Sequence, residues 1–182
     1  MAMSSTHSQT WHTTLVSVCY RQRYWLQDRG SLTRRIQDCC EQFFVKPIFQ
    51  AFSRIYGDEL RVMGARSDEL VMVREVFLYC GETPVVFAHS TVTRRNLRGV
   101  WRGLNGLGNK SLGTMLFNNP RVKRTPLEFK KVKQGHFLYD RACVSLPIKP
   151  ASLWARRSLF TLNGQSILVT EVFLPSILNL PI

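Results

Sequence analysis

The chain is poor in acid, and poorest where it is richest in base. Across 182 residues, 12 Asp and Glu stand against 25 Lys and Arg, a formal net charge of +13. Residues 1–82 hold 10 basic against 9 acidic residues; residues 83–182 hold 15 against 3, namely Glu128, Asp140 and Glu171. A field of that sign attracts anions: nucleic acid, an anionic membrane surface or a small polyanionic metabolite. Long apolar runs are missing too. The best candidate, residues 167–182, is broken by Glu171, Pro175 and Pro181, so no helical membrane span is expected. The first 14 residues lack the basic start and apolar stretch of a secretory signal and read as a disordered tail, followed by one domain over 15–182.

Metal and nucleophile signatures are equally scarce. Cys19, Cys39, Cys40, Cys80 and Cys143 are odd in number and show no C-x-x-C spacing, which reads as reduced, core-packing cysteine of a cytoplasmic protein. His7, His12, His89 and His136 are scattered, so no metal site is expected. The run Gly103-Leu104-Asn105-Gly106-Leu107-Gly108-Asn109-Lys110-Ser111 imitates a phosphate loop, but Asn109 separates the last glycine from Lys110 and a helix, not a strand, precedes it. Its glycines still permit a tight turn before a helix beginning near Ser111.

What is present is dominated by two near-twin segments, Val73-Arg74-Glu75-Val76-Phe77-Leu78 and Val169-Thr170-Glu171-Val172-Phe173-Leu174. Both read as largely buried strands with ionisable residues inside them. A buried charge costs several kcal/mol unless it is paired or bound. Two readings of Arg74 and Glu171 are open: a structural ion pair, Arg74 with Glu75 or Glu171, or a ligand site. Arg94, Arg95, Arg98 and Arg102 form a basic stripe at helical spacing, which reads first as a solvated helix face.

Patterning predicts helices over 15–26, 32–42 (Ser31 as N-cap), 96–104, 111–117 and 138–144. It predicts strands over 43–55, with Pro47 marking an edge, and over 70–80, 85–93, 125–132, 156–162 and 166–174, with 56–69 as loop. Asn163-Gly164 is the strongest hairpin signal. Without β-α-β alternation, the expected class is α+β, an antiparallel sheet with helices on one face.

Five blocks then carry a family resemblance: Ser31-Leu32-Thr33-Arg34-Arg35; Val73-Arg74-Glu75-Val76 before Gly81; Leu107-Gly108-Asn109-Lys110-Ser111-Leu112-Gly113 through Leu116-Phe117; Trp154-Ala155-Arg156-Arg157-Ser158; and Leu168-Val169-Thr170-Glu171-Val172-Phe173-Leu174-Pro175. In this order the chain resembles the chorismate–pyruvate lyases of ubiquinone synthesis, from about residue 25 to 175. The resemblance implies a buried ligand pocket under helical flaps and conversion of chorismate to 4-hydroxybenzoate and pyruvate without metal or organic cofactor. It implies that Arg74 holds the ring carboxylate, Leu112 meets the same group through its backbone, Leu32 lines the pocket and Glu171 lies near the ring hydroxyl. One of Arg156 and Arg157 is a candidate for the second carboxylate. Residues 133–153 form a longer connection than in the most compact members. A monomer is implied, with peripheral contact to an anionic membrane and no specific nucleic-acid partner. The competing expectations are a non-enzymatic, effector-type ligand-binding domain of the same fold and a nucleic-acid module.

Overall fold

The computed structural model describes residues 10–182. The twin segments lie in strands β2 (Leu70–Cys80) and β7 (Gln165–Phe173). They flank β3 (Thr83–Thr93) on either side, at the centre of one antiparallel sheet. A strand with neighbours on both edges and packing on both faces must be apolar almost throughout, as these are. β7 returns from β6 (Leu153–Leu162) through Asn163 and Gly164, whose φ angles of 51° and 73° suit a two-residue turn with Leu162 opposite Gln165. β1 (Phe43–Arg54) pairs, among the described residues, only with β2 and loses register between Pro47 and Phe49, where the imide nitrogen cannot donate. β4 (Lys123–Arg124) and β5 (Glu128–Val132) both pair with β6 and complete seven strands.

The α+β class is the one expected from the sequence. The helices divide between the two faces. Helices α1 (Tyr20–Leu26), α2 (Leu32–Gln37), α4 (Arg94–Arg98) and α5 (Leu112–Phe117) cover the face that carries Met72, Val76 and Leu78. Helices α3 (Gly57–Met63) and α6 (Phe137–Ala142) cover the face that carries Val71, Val73 and Phe77. Trp25, Leu26 and Ile36 on the first face, and Phe87 and Leu138 on the second, are fully buried or nearly so. Each such side chain contributes about 1.5–3 kcal/mol.

Several expectations change in detail. Helix α2 stops at Gln37 rather than 42; beyond it Cys39 and Cys40 N–H donate to the carbonyls of Ile36 and Gln37 in tighter turns. Helix α4 ends at Arg98 because the Gln165 side-chain oxygen accepts from Val100 N–H and fills the space where a Cβ on residue 99 would stand. Only glycine admits that approach. The stretch read as loop, 56–69, holds α3. Its start is signalled by Asp58 and Glu59 in the first turn, acids that favour a helix N-terminus. The cysteines are not all thiols: Cys40 and Cys80 form a disulfide across 40 positions, with Cα atoms 5.7 Å apart, tying the end of α2 to the end of β2. No spacing rule reports such a pair, because it forms only when α2 packs on the sheet.

Of the expected tail, residues 1–9 lie outside the described residues. Beyond them, Trp11 is buried and donates to Asp58, and His12 pairs with Phe129 through the backbone, so the domain includes them. No helix among the described residues is long and apolar enough to cross a membrane. The basic stripe is exposed on a five-residue helix and the 3-10 turn after it, the solvated face that was the first reading.

Candidate active site

Side chains alternate across a strand, so neighbouring charges part company. Arg74 points to the face covered by α5, and Glu75 to the opposite face. Across the sheet Arg74 is opposite Ser90, and Glu171 is opposite Ala88 two positions along the same strand. Strand spacing and rise then put the Cα atoms of Arg74 and Glu171 roughly 12 Å apart, with the small side chains of Ala88 and Ser90 between them. That floor is flat and long enough for a six-membered ring carrying a group at each end.

The ion pairs open at the sequence level do not form. Glu75 binds His89 and Arg141 on the far face, and Glu171 binds Arg156. Arg74, 2% exposed, has no carboxylate partner among the described residues. Its Nη2 donates to the carbonyls of Gly108 (3.0 Å) and Lys110 (3.1 Å), and its Nε–H is buried without an acceptor. Burial pulls its pKa below the ordinary arginine value. Two carbonyls aim a guanidinium but do not neutralise it, which leaves Arg74 poised for an anion.

Glu171 stands across from Arg74, accepting from Arg156 Nε at 2.6 Å. Arg156 is fully buried, and its Nη1 donates to the carbonyls of Trp25, Leu26 and Asp28, stitching the end of α1 to the sheet. Of the two arginines offered for a second carboxylate, Arg157 is excluded by alternation. It faces the other side, where it binds Glu128 and the Asp58 carbonyl and lies over Trp11. Arg156 is on the correct face; its Nε and Nη1 are committed to Glu171 and three carbonyls, its Nη2 is buried without an acceptor, and it does not line the space between Arg74 and Glu171.

The roof comes from two short helices. Leu32 opens α2 and Leu112 opens α5; both are buried against the same space. Ser31, the cap expected from the sequence, and Ser111 cap the two helices, accepting from Arg34 N–H and Gly113 N–H. The roof halves are joined by a hydroxyl pair, Thr33 with Ser111. A Cβ on residue 113 would stand 3.1–3.3 Å from the hydroxyls of Thr33, Ser111 and Ser31, so glycine lets the halves close this far. The space enclosed by Leu32, Arg74, Ala88, Ser90, Leu112 and Glu171 is about 40 Å³. The ligand-sized pocket expected under the flaps is therefore not open here, because the leucines of the roof fill it. A larger cavity, about 140 Å³, lies between α1 and the turn after β7, but no charged side chain lines it.

One lining residue was not singled out from the sequence. Arg124 lies in the basic run Arg121-Val122-Lys123-Arg124. It lines the space with Arg74 and Glu171, its Nε donating to Ser158 Oγ (2.7 Å) and its Nη1 to the Arg29 carbonyl (2.9 Å). Residues 133–153 do not roof the site. Their helix α6 lies on the opposite face of the sheet. No cluster of His, Cys, Asp and Glu among the described residues is arranged to hold a metal ion.

A family model described as chorismate lyase matches residues 6–180. A protein of Nitrosospira multiformis named probable chorismate pyruvate-lyase is 63% identical over 179 residues, covering 98% of this chain and 99% of that one. A protein of the same name from Nitrosomonas europaea is 60% identical over 170 residues, covering 93% and 96%. Among solved structures, the effector domain of PhnF from Mycobacterium smegmatis matches with a TM-score of 0.57 at 11% identity, covering 81% of this chain and 90% of that one. That last likeness is one of fold alone. On the match along nearly the whole length and the identity to these relatives, the chain belongs to the chorismate lyase family of enzymes.

Proposed function

We propose that this protein converts chorismate to 4-hydroxybenzoate and pyruvate, with Arg74, Leu112, Leu32 and Glu171 as the site. The observation that carries the reading is Arg74: a buried guanidinium, held by two backbone carbonyls, with no carboxylate of its own. A ring carboxylate matches its planar fork. Glu171 at the far end of the Ala88–Ser90 floor suits the ring hydroxyl, which is para to that carboxylate.

The chemistry asks little of the protein. The ether bond between the ring and the enolpyruvyl oxygen breaks, and the ring carbon bearing the hydroxyl loses its proton. That proton ends on the methylene carbon of the departing group, which becomes pyruvate. Aromatisation drives the step, so binding, orientation and charge placement are sufficient. Neither a metal nor an organic cofactor enters this balance. One oxygen of Glu171 is occupied by Arg156, and the other is left to accept from the hydroxyl, which supports an orienting role in which the proton passes within the substrate. Leu32 and Leu112 must lift for chorismate to enter and for product to leave, so flap opening is a candidate for the slow step.

From the family resemblance we further place the product in ubiquinone synthesis and the protein in the cytoplasm, as a monomer. The positive excess suits steering of a dianion and contact with an anionic membrane rather than specific nucleic-acid binding. The test is direct. Purified protein incubated with chorismate and a metal chelator should form 4-hydroxybenzoate and pyruvate in equal amounts. Product no faster than spontaneous decay would sink the reading.

A further inference from the structure

Chorismate carries two carboxylates, and Arg74 answers only one. Burying the second without a cation would cost several kcal/mol. We infer that Arg124 binds the enolpyruvyl carboxylate, at the seam where the two roof helices meet, and so distinguishes substrate from product. This rests on the lyase reading above.

The choice follows by elimination among the arginines near the site. Arg157 faces the other side of the sheet, bound to Glu128. Arg156 gives Nε to Glu171 and Nη1 to three carbonyls; its Nη2 is buried without an acceptor, but Arg156 does not line the space that Arg74, Arg124 and Glu171 share. Arg124 lines the same space as Arg74 and Glu171 and has no carboxylate within ion-pair distance among the described residues. Its two hydrogen bonds go to neutral oxygens, Ser158 Oγ and the Arg29 carbonyl, which orient the guanidinium without discharging it. Its Nη2 makes no hydrogen bond among the described residues. The rings of Phe117 and Phe160, with centroids 5.6 and 5.0 Å from its central carbon, pack against the guanidinium of this half-buried arginine. Burial pulls its pKa down to about 10, against the opposing attraction of Glu171, so it stays charged at neutral pH.

Position agrees with chemistry. In chorismate the enolpyruvyl ether sits on the ring carbon next to the one bearing the hydroxyl, so its carboxylate belongs at the Glu171 end of the site, away from Arg74. Arg124 is at that end, close enough to Glu171 to feel its charge. The product 4-hydroxybenzoate keeps the ring carboxylate for Arg74 and the hydroxyl for Glu171 but has nothing for Arg124. The residue therefore contributes to substrate binding and not to product binding. Such an arrangement favours chorismate in competition with product.

The experiment compares two ligands in two variants. In Arg124→Gln, KM for chorismate should rise about tenfold or more, the worth of a charge-assisted hydrogen bond, while the inhibition constant of 4-hydroxybenzoate stays within about twofold. Arg124→Lys keeps the charge, should recover part of the loss, and carries the test if Arg124→Gln does not fold. Equal weakening of substrate and product would make Arg124 a structural tie between Arg29 and Ser158 and overturn the proposal, as would no change in either. Wild-type protein that makes no 4-hydroxybenzoate overturns the lyase reading and this one with it; wild-type turnover with an unchanged substrate-to-product ratio in the variants overturns only the role of Arg124.

Discussion

Arg74 and Glu75 are neighbours in one strand, yet they belong to two different kinds of polar interior. On the Glu75 face the major charges lie within ion-pair distance of opposite ones, although the two oxygens of Glu59 are buried without a hydrogen bond. Glu75 and Glu59 flank His89 at 3.1 and 3.2 Å, and Arg141 closes on Glu75. Asp58 takes Lys130, His136 and Trp11, and Arg157 takes Glu128. Burial alone would raise the Glu75 and Asp58 carboxyls. His89 and Arg141 outweigh it for Glu75, and hydrogen bonds from His136, Trp11 and Lys130 outweigh it for Asp58, so both lie below the usual carboxylate range. On the Arg74 face, Arg74, Arg124 and Arg156 share one carboxylate, Glu171. The surplus of two positive charges there equals the charge of chorismate's two carboxylates. Burial of charge does not separate scaffold from site in this sheet. Completeness of neutralisation does.

The largest effect should come from breaking the complete face. Glu75→Gln leaves Arg141 unpaired and His89 with one partner, so stability should fall by about 3–5 kcal/mol, read as a lower urea midpoint. A midpoint that hardly moves would mean that this face is no better satisfied than the other. On the incomplete face the balance reverses. Arg74→Lys keeps the charge but loses the fork, and 4-hydroxybenzoate affinity should weaken by about 1.5–3 kcal/mol while the ligand-free Tm changes little. A collapsed Tm with intact affinity would move Arg74 into the scaffold class.

Glu171→Gln sharpens the comparison further, because Glu171 has a structural partner and a proposed ligand. The variant should lose ligand affinity and keep kcat within about 10²-fold; a larger loss of kcat with affinity intact would identify a general base. A further test is in pH. Glu59 and Glu75 raise the His89 pKa to about 9 against the opposing effect of burial. A histidine raised above its unfolded value of about 6.5 contributes stability that is full below that pH and fades as pH climbs through 9. Tm should therefore decline between pH 6.5 and 9, and the decline attributable to His89 should vanish in His89→Gln. A flat wild-type profile over that window would show the imidazole to be neutral in the fold.

The amino-acid pattern alone determined the strands, the hairpin turn and the Ser31 helix cap. Periodicity, Asn163-Gly164 and Ser31 ahead of an apolar run are local signals, and local physics answers them. It also marked Arg74 and Glu171, because a charge inside an apolar strand is conspicuous in one dimension. It missed α3, whose short amphipathic run resembles loop until Asp58 and Glu59 find partners on the sheet. It read Cys40 and Cys80 as thiols, since nothing 40 positions away signals a bond. It treated Arg156 and Arg157 alike, although alternation sends one to each face, and it passed over Arg124 in a basic run. Which charge is neutralised depends on pairs such as Arg156 with Glu171 or Glu75 with Arg141, separated by 15 and 66 positions. Only the assembled sheet decides those pairings, because an ion pair is made by distance in space and the sequence records distance along the chain.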